Sequence, residues 1–345
     1  MARLIIHIGS HKTGTSYLQE LFYENRKRLK HAGIHYPAIG PNKAHHALAA
    51  AWMDVSGLPD GFFSDTGPDG LWNRLVGEYA GGDGTLFLSA ENLSRVFPNR
   101  VDMADLRRRV AAFDEVRIIY TMRRQAELIQ SVWMQVAKNR RAPSLRKYLE
   151  TALEKRRGGG VPLDHGMFYE HMRSGFAADE ILLLDYAQIC RAEGGLAQVF
   201  LDLLGADLKA ADLTAPDAKA ANISPDPLAT YAASMIARDK PVPEDLMRLV
   251  AKVLRPDPGI PATLLARHEY AKFNSRYRPG NALLVERVQP VQPGFTFEEA
   301  EPPGNMMYRD DITAQSWIEI AAELYSERNA PARYAWGLQR TKSPL

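Results

Sequence analysis

Four short apolar runs, separated by stretches of helical periodicity, set the fold that this sequence can adopt. The runs lie at 4–8, 86–88, 116–120 and 181–184. Their near-continuous hydrophobicity is typical of strands that are buried on both faces, as in a parallel sheet. Helical periodicity lies between or after them, at 15–31, 102–113, 125–139, 144–157 and 195–204. The alternation predicts an α/β fold with three layers, in which helices flank a parallel sheet.

The second half of the chain has a different character. After Gly205 the strand signals fade and the pattern is mostly helical, with proline-rich breaks at 225–227, 241–243, 256–261 and 290–303. We expect one domain over 1–345, in which 1–205 form the α/β core and 206–345 form a helical, loop-rich part that covers the site. The glycine triplet at 158–160 predicts a mobile loop.

Composition narrows the class of protein. A formal net charge of +2 in 345 residues gives no indication of a nucleic-acid partner. A single cysteine, Cys190, cannot form an intrachain disulfide and suits a reducing compartment. No signal peptide is visible, and the apolar runs are too short for a transmembrane segment. One cysteine cannot build a thiolate metal site, and no CxxC spacing occurs in the sequence. We therefore expect a cytoplasmic protein without a metal.

Residues 9–16, GSHKTGTS, follow the first apolar run and open the first helical stretch. Backbone N–H groups at such a turn point at one spot and favour an anion there. Thr13, Thr15 and Ser16 add hydroxyl donors. Lys12 adds a positive charge. A loop for a nucleoside triphosphate would carry lysine where this chain has Thr15. A purely structural strand–helix turn remains an alternative.

A second polar pattern lies in RIIYTMRRQAELIQSVWMQ, residues 117–135. Arg123 ends a predicted strand, and Ser131 lies two turns into the helix that follows. Open α/β sheets bind ligands at the carboxyl edge of their strands, where both residues are expected. Arginine offers a planar fork to a phosphate and serine offers a hydroxyl, so the pattern predicts a second phosphate site. A surface ion pair is the alternative role of the arginine.

Together the two patterns resemble those of sulfotransferases that use 3′-phosphoadenosine 5′-phosphosulfate (PAPS), in particular the bacterial branch of that family. HIGSHKTGTSYLQ resembles the family's 5′-phosphosulfate loop, and Arg123 with Ser131 resembles its 3′-phosphate pair. Two weaker matches to the family are ILLLDYAQI followed by VFLDLLG, and ANISPDPLA at 221–229. The resemblance spans roughly residues 3–230. It implies a P-loop-like fold and transfer of a sulfuryl group to a hydroxyl or amine by in-line displacement.

The resemblance also implies a role for each residue of the loop. One run would bind the phosphosulfate end of the donor: Lys12, Thr13, Gly14, Thr15 and Ser16. Lys12 would stabilise the charge that builds on the bridging oxygen as the sulfuryl group leaves. Because the donor has one phosphosulfate anhydride and a separate 3′-phosphate, two anion sites and no metal are expected. The product would be 3′-phosphoadenosine 5′-phosphate (PAP).

Candidate bases and acceptor contacts lie elsewhere in the chain. Glu91 follows the run at 86–88, and the resemblance implies that it takes the acceptor's proton, helped by a pKa raised on burial. Its alternative role is a helix cap or an ion-pair partner. His45 and His46 are similar to adjacent histidines in bacterial relatives and are candidates for contacting the acceptor or acting as base. By family analogy, the acceptor is a small molecule, a carbohydrate or a lipid-linked glycan.

Two other functions are compatible with these motifs. One is a P-loop phosphotransferase or NTPase, in which the aspartate of LLLD at 182–185 would bind Mg²⁺. The other is a non-catalytic protein that keeps only the nucleotide site. The missing lysine at position 15 argues against the first, and Lys12 with Glu91 argues against the second.

Overall fold

The computed structural model describes residues 1–216, 225–255, 257–297 and 301–329. The strands are β1 (Ala2–His7), β2 (Ile34–His35), β3 (Gly84–Ser89), β4 (Glu115–Met122), β5 (Arg157–Gly158), β6 (Val161–Pro162) and β7 (Ile181–Asp185). The helices of the first half are α1 (Thr15–Glu24), α2 (Arg26–His31), α3 (Gly67–Tyr79), α4 (Met103–Arg109), α5 (Gln125–Asn139), α6 (Leu145–Lys155) and α7 (His165–Arg173). Those that follow are α8 (Tyr186–Arg191), α9 (Gly195–Leu204), α10 (Pro227–Ala237), α11 (Glu244–Leu254), α12 (Arg267–Val288) and α13 (Ala314–Asn329).

Five strands form one parallel sheet in the order β2-β3-β1-β4-β7, which confirms the predicted α/β fold. β1 is central, so Leu4 lies opposite Leu86 of β3 on one side and Val116 of β4 on the other. The chain adds β2 and β3 on one side of β1 and then crosses to add β4 and β7 on the other. The loops after β1 and β4 therefore meet at a switch in strand order, where open α/β sheets bind ligands.

Alternation along the central strand builds the three layers. Leu4 and Ile6 belong to one apolar cluster, with α3, α4 and α7, whereas Ile5 belongs to a second cluster, with α1 and α9. Successive side chains of a strand point to opposite faces, so the apolar run in β1 can be buried on both faces only if helices cover each of them.

The helices from α10 onwards pack mainly against α5 and α6, in a third apolar cluster. Polar contacts add to this packing: Nε2 of Gln125 donates to Oδ1 of Asn281 at 2.9 Å, and Oγ1 of Thr263 donates to Oε1 of Gln130 at 2.8 Å. The predicted helical second half is thus observed, and it packs against the helix that follows Arg123. Residues 221–224 of the segment that resembles bacterial sulfotransferases lie outside the described residues.

The predicted helix at 15–31 is divided at Asn25. Nδ2 of this residue donates to the carbonyl oxygen of Leu21 at 2.8 Å, and Oδ1 accepts from the backbone N–H of Thr214 at 2.9 Å. An asparagine side chain that bonds to the backbone in this way competes with helix continuation. The chain therefore turns between α1 and α2.

The glycine triplet at 158–160 is not the mobile loop that the sequence predicts. It forms the tight β5–β6 hairpin, in which Gly158 pairs with Val161. A Cβ atom at Gly158 would lie 2.4 Å from Cδ1 of Ile129, and one at Gly160 would lie 2.5 Å from the carbonyl oxygen of Phe97. The glycines let the backbone fit between α5 and the segment after β3, so their role is close packing. In the described parts of the chain, no helix has both the length and the apolarity to cross a bilayer.

Candidate functional site

The loop between β1 and α1 extends the sheet before it turns. The backbone N–H groups of Ile8 and Ser10 donate to the carbonyls of Ile119 and Thr121 in β4, both at 3.0 Å. Left-handed backbone follows, with φ of +67° at Lys12 and +74° at Gly14. Lysine is an unusual residue in this conformation, and such positions cluster at functional sites.

The N-terminus of α1 is open to an anion. Gly14 provides no capping side chain, and the first turn contains no acidic residue. The backbone N–H groups of that turn therefore keep their partial positive charge. Thr13 and Thr15 are buried and Ser16 is exposed, and Oγ1 of Thr13 donates to the carbonyl of Ser10 at 2.6 Å. Of the three predicted hydroxyl donors, Ser16 is the one on the outer face of the turn.

Helix α5 carries three polar residues at intervals of four, Glu127, Ser131 and Gln135, which place them on one face. The carboxylate of Glu127 contacts Nε of Arg123 at 3.2 Å, and the amide oxygen of Gln135 accepts from Nζ of Lys12 at 3.2 Å. Ser131 lies between these contacts, with 2% of its surface exposed. Its hydroxyl has no hydrogen-bond partner among the described residues.

Arg123 joins the end of β4 to the β1–α1 loop. Nη1 donates to the carbonyl oxygen of Lys12 at 2.8 Å, and the guanidinium carbon lies 5.4 Å from the centre of the Tyr186 ring. Nη2 donates to no group in the part of the chain that the structure describes. Burial, followed by the charge of Arg123, lowers the pKa of Lys12. The two predicted anion sites thus share one cationic region.

Tyr186 belongs to this region although the sequence analysis did not select it. A Cβ atom at Gly14 would lie 3.6 Å from Cε2 of Tyr186, so this ring packs between the loop and Arg123. Its position directly after β7, at the carboxyl edge of the sheet, was the signal that could have identified it.

Glu91 begins a 3₁₀ turn, Glu91–Ser94, directly beyond β3. A Cβ atom at Gly9 would lie 3.6 Å from Cβ of Glu91, so the start of the loop passes close to this residue. Nε2 of Gln19 donates to Oε2 of Glu91 at 2.9 Å, and Nε2 of His46 lies 3.8 Å from Oε1. The structure therefore places Glu91 next to the candidate anion loop.

The predicted rise in the pKa of Glu91 is wrong. Burial alone would raise the pKa of this carboxyl, but His46, His11 and the amide of Gln19 outweigh burial and hold the pKa below its usual value. Glu91 is consequently ionised at neutral pH, as a proton acceptor must be. Its basicity is lower than the sequence analysis expected.

Two histidines next to Glu91 have ring nitrogens that are buried without a partner among the described residues, Nε2 of His11 and Nδ1 of His46. Burial lowers the pKa of His11 to about 4, although the charge of Glu91 opposes the shift. An unpartnered ring nitrogen of His11 thus lies near the Glu91 carboxylate.

His45, the other predicted acceptor contact, is occupied by the fold. Nδ1 accepts from the backbone N–H of Ser89 at 2.9 Å, so the proton is on Nε2, which donates to the carbonyl of Pro37 at 2.8 Å. The ring is 1% exposed. Neither nitrogen is left for a substrate, so of the histidine pair His46 alone faces Glu91.

The aspartate considered as a magnesium ligand caps a helix. Oδ1 of Asp185 accepts from the backbone N–H of Ala187 at 2.8 Å, at the start of α8. Burial raises the pKa of this carboxyl. Among the residues that the structure describes, no three His, Cys, Asp or Glu side chains are grouped as ligands for a metal.

No protein-family model and no curated protein matches this sequence. A sulfotransferase from Alicyclobacillus acidocaldarius superposes with a TM-score of 0.47 at 15% identity, over 83% of this chain and 95% of that chain. Mouse sulfotransferase SULT7A1 complexed with PAP gives a TM-score of 0.40 at 13% identity, over 84% and 88%. A sulfotransferase domain from the curacin biosynthetic pathway gives 0.35 at 12% identity, over 80% and 96%. All three are sulfotransferases or sulfotransferase domains.

Proposed function

We propose that this chain is a sulfotransferase that moves a sulfuryl group from PAPS to an acceptor hydroxyl or amine. The buried, unpartnered hydroxyl of Ser131 carries the proposal, because it lies on the face of α5 whose neighbouring turns contact Arg123 and Lys12. A buried hydroxyl without a partner is costly unless a ligand completes it. A phosphate held by Ser131 and Arg123 would do so.

The donor's two anionic ends have separate places in this arrangement. The 3′-phosphate fits Ser131 and Nη2 of Arg123, since a guanidinium and a hydroxyl are matched donors for a phosphate monoester. The phosphosulfate fits residues 12–16, where α1 presents uncapped backbone N–H groups and Lys12 presents its ammonium. A nucleoside triphosphate would need neither the remote Ser131 nor this division.

Sulfuryl transfer needs a cation at the leaving oxygen and a base at the acceptor. Glu91 removes the acceptor's proton as the new S–O or S–N bond forms and the old S–O bond to the bridging oxygen breaks, which releases PAP. Lys12 stabilises the negative charge that develops on the bridging oxygen, an effect of about 2.7–4 kcal/mol when a comparable donor is removed elsewhere. Gln19 orients the Glu91 carboxylate through its hydrogen bond.

The acceptor is proposed to be a small molecule or a glycan, and the reaction to occur in the cytoplasm. A phosphotransferase or NTPase would use Asp185 as a magnesium ligand, but this carboxylate caps α8. A non-catalytic protein would have no use for Lys12 beside an ionised Glu91.

Calorimetric titration without magnesium tests the donor site. PAP is expected to bind wild type more tightly than ATP or AMP does, and Arg123→Ala is expected to lose that binding. Arg117→Ala is the matched control, because Arg117 lies near the start of β4, far from its Arg123 end, and pairs with Glu115. Tighter binding of ATP, or equal binding of PAP by the two variants, would reject the proposal in favour of a phosphotransferase or NTPase.

A further inference from the structure

The glycine hairpin holds an arginine beside the proposed acceptor site. Nη2 of Arg95, the residue after the Glu91–Ser94 turn, donates to the carbonyl of Gly159 at 3.0 Å. Gly160 has φ +93°, and a Cβ atom there would lie 2.8 Å from the same Nη2. The backbone N–H of Val96 also donates to the carbonyl of Gly160, at 2.9 Å. Glycine is therefore required where the hairpin meets Arg95.

A second arginine belongs to the hairpin itself. The guanidinium carbon of Arg157, in β5, lies 3.6 Å from the centre of the Phe97 ring. Phe97 is 48% exposed, unlike most aromatic residues of the chain. Planar stacking restricts the orientation of a guanidinium while leaving its N–H groups free to donate. Arg95, Phe97 and Arg157 together form what we call the arginine rim.

The two cations of the arginine rim are ordered without an anion. In the described parts of the chain, neither Arg95 nor Arg157 pairs with a carboxylate, whereas Arg109, Arg123, Arg255 and Arg309 do. Holding an arginine in one orientation costs side-chain entropy. An arginine whose orientation is already fixed loses less side-chain entropy when an anion binds to it. The geometry therefore favours an anionic ligand.

The arginine rim also adjoins the group proposed as the base. Arg95 lies one residue beyond the turn that Glu91 begins, and the charges of Glu91 and Arg95 act in opposite directions on the pKa of His11. A molecule whose hydroxyl reaches Glu91 would thus bring its neighbouring groups towards Arg95, and along the Phe97 ring towards Arg157.

We infer that the acceptor carries an anionic group, a carboxylate, sulfate or phosphate, which the arginine rim binds while Glu91 receives the acceptor's proton. The inference rests on the proposed function and narrows it, since it replaces a generic hydroxyl or amine by an anionic acceptor. The exposed Phe97 ring supplies an apolar surface next to that charge.

Ligand-observed NMR titration with PAP-loaded protein at constant ionic strength tests the inference with two probes. Phenyl phosphate carries a ring and a dianion, and benzyl alcohol carries a ring without charge. Phenyl phosphate is expected to bind at least tenfold more tightly than benzyl alcohol. Arg95→Gln and Arg157→Gln are each expected to weaken phenyl phosphate about tenfold. Arg248→Gln, which removes an exposed arginine of α11 without an ion pair among the described residues, is the matched control.

Equal binding of the two probes, or equal binding of phenyl phosphate by all variants, would overturn the inference. Weaker PAP binding by Arg95→Gln or Arg157→Gln would also overturn it, because the arginines would then serve the donor. If wild type binds no PAP, the proposed function fails instead. The titration of phenyl phosphate is then made on unloaded Arg123→Ala, where dependence on Arg95 and Arg157 still decides whether the arginine rim binds anions.

Discussion

Arg123 donates a hydrogen bond from Nη1 to the backbone carbonyl oxygen of Lys12, 111 residues earlier in the chain, at 2.8 Å. Lys12 has left-handed backbone, which costs a residue with a side chain roughly 1 kcal/mol or more. The bond from β4 therefore helps to hold the loop in the conformation that aims the Lys12 ammonium. The two proposed anion sites depend on one another for this reason.

Replacing Arg123 by lysine separates charge from geometry. Lys keeps the positive charge but cannot hold the Lys12 carbonyl, the Glu127 carboxylate and a phosphate with one planar fork. We expect Arg123→Lys to weaken PAP binding about tenfold, or about 1.4 kcal/mol, by calorimetry. Unchanged affinity would show that charge alone suffices at this position.

Lys12→Gly tests the role of the ammonium without disturbing the loop. Glycine adopts φ +67° at little cost, so the backbone is expected to stay as it is. We expect PAP to bind with modest loss and the single-turnover rate of PAPS consumption to fall about 100- to 1,000-fold. A loss of PAP affinity with an unaltered rate would assign Lys12 to donor binding instead.

Ser131→Ala separates binding from stability. The hydroxyl has no partner in the described residues, so its removal is expected to leave the free energy of unfolding unchanged or slightly higher. PAP affinity is expected to fall by about 1.5–3 kcal/mol, the contribution of a hydrogen bond to a charged group. Urea unfolding and calorimetry on the same preparation measure both quantities. Lower stability with normal PAP binding would contradict the phosphate contact.

The pH dependence of the rate reports on Glu91. The pKa of Glu91 lies below the usual carboxyl value. The wild-type rate should therefore stay constant as the pH falls, and should decrease only once the pH is below the usual carboxyl pKa, where Glu91 becomes protonated. Gln19→Leu removes an amide that stabilises the carboxylate. The variant's acidic limb is therefore expected at higher pH, and coincident pH–rate profiles would exclude Gln19 as the residue that positions the base.

Buried neutral histidines predict a sensitivity of the fold to acid. Burial lowers the pKa of His7, His45 and His165 to about 4. Because each pKa is about 6.5 in the unfolded chain, the stabilisation is present above 6.5 and is lost as the pH falls towards 4. Between pH 7 and 5 we expect a loss of about 2 kcal/mol for each histidine, measured by urea unfolding. His45→Gln should be less stable at pH 7 but lose less on acidification.

The sequence predicted the elements that its own periodicity encodes. Helices α5 and α9 begin and end at the predicted residues, and the four apolar runs became strands of one parallel sheet. A strand that is buried on both faces shows a near-continuous run of apolar residues in the sequence. The short strand β2 shows no such run, because its two residues pair with β3 at the edge of the sheet.

The site could be predicted only where one segment supplies it. Loop residues 12–16 form one turn, but the surroundings of Glu91 come from α1, the β1–α1 loop and the 3₁₀ turn His46–Ala51. Burial of Glu91 could be expected from a strand end, whereas the side chains that lower its pKa could not. The adjacent histidines illustrate the same limit. One bonds to backbone and its neighbour faces Glu91, a difference that only the fold determines.

The hairpin at 158–160 bears on the size of molecule that the proposed acceptor site could bind. On one side it touches Ile129 of α5, which carries the proposed donor residues, and on the other it touches Arg95 and Phe97. The separation of Ile129 from Arg95 and Phe97 is thus set by the hairpin backbone, because its glycines have no side chains of their own. Substitutions on either side of the hairpin would change which groups are recognised, but this separation would stay that of a glycine backbone.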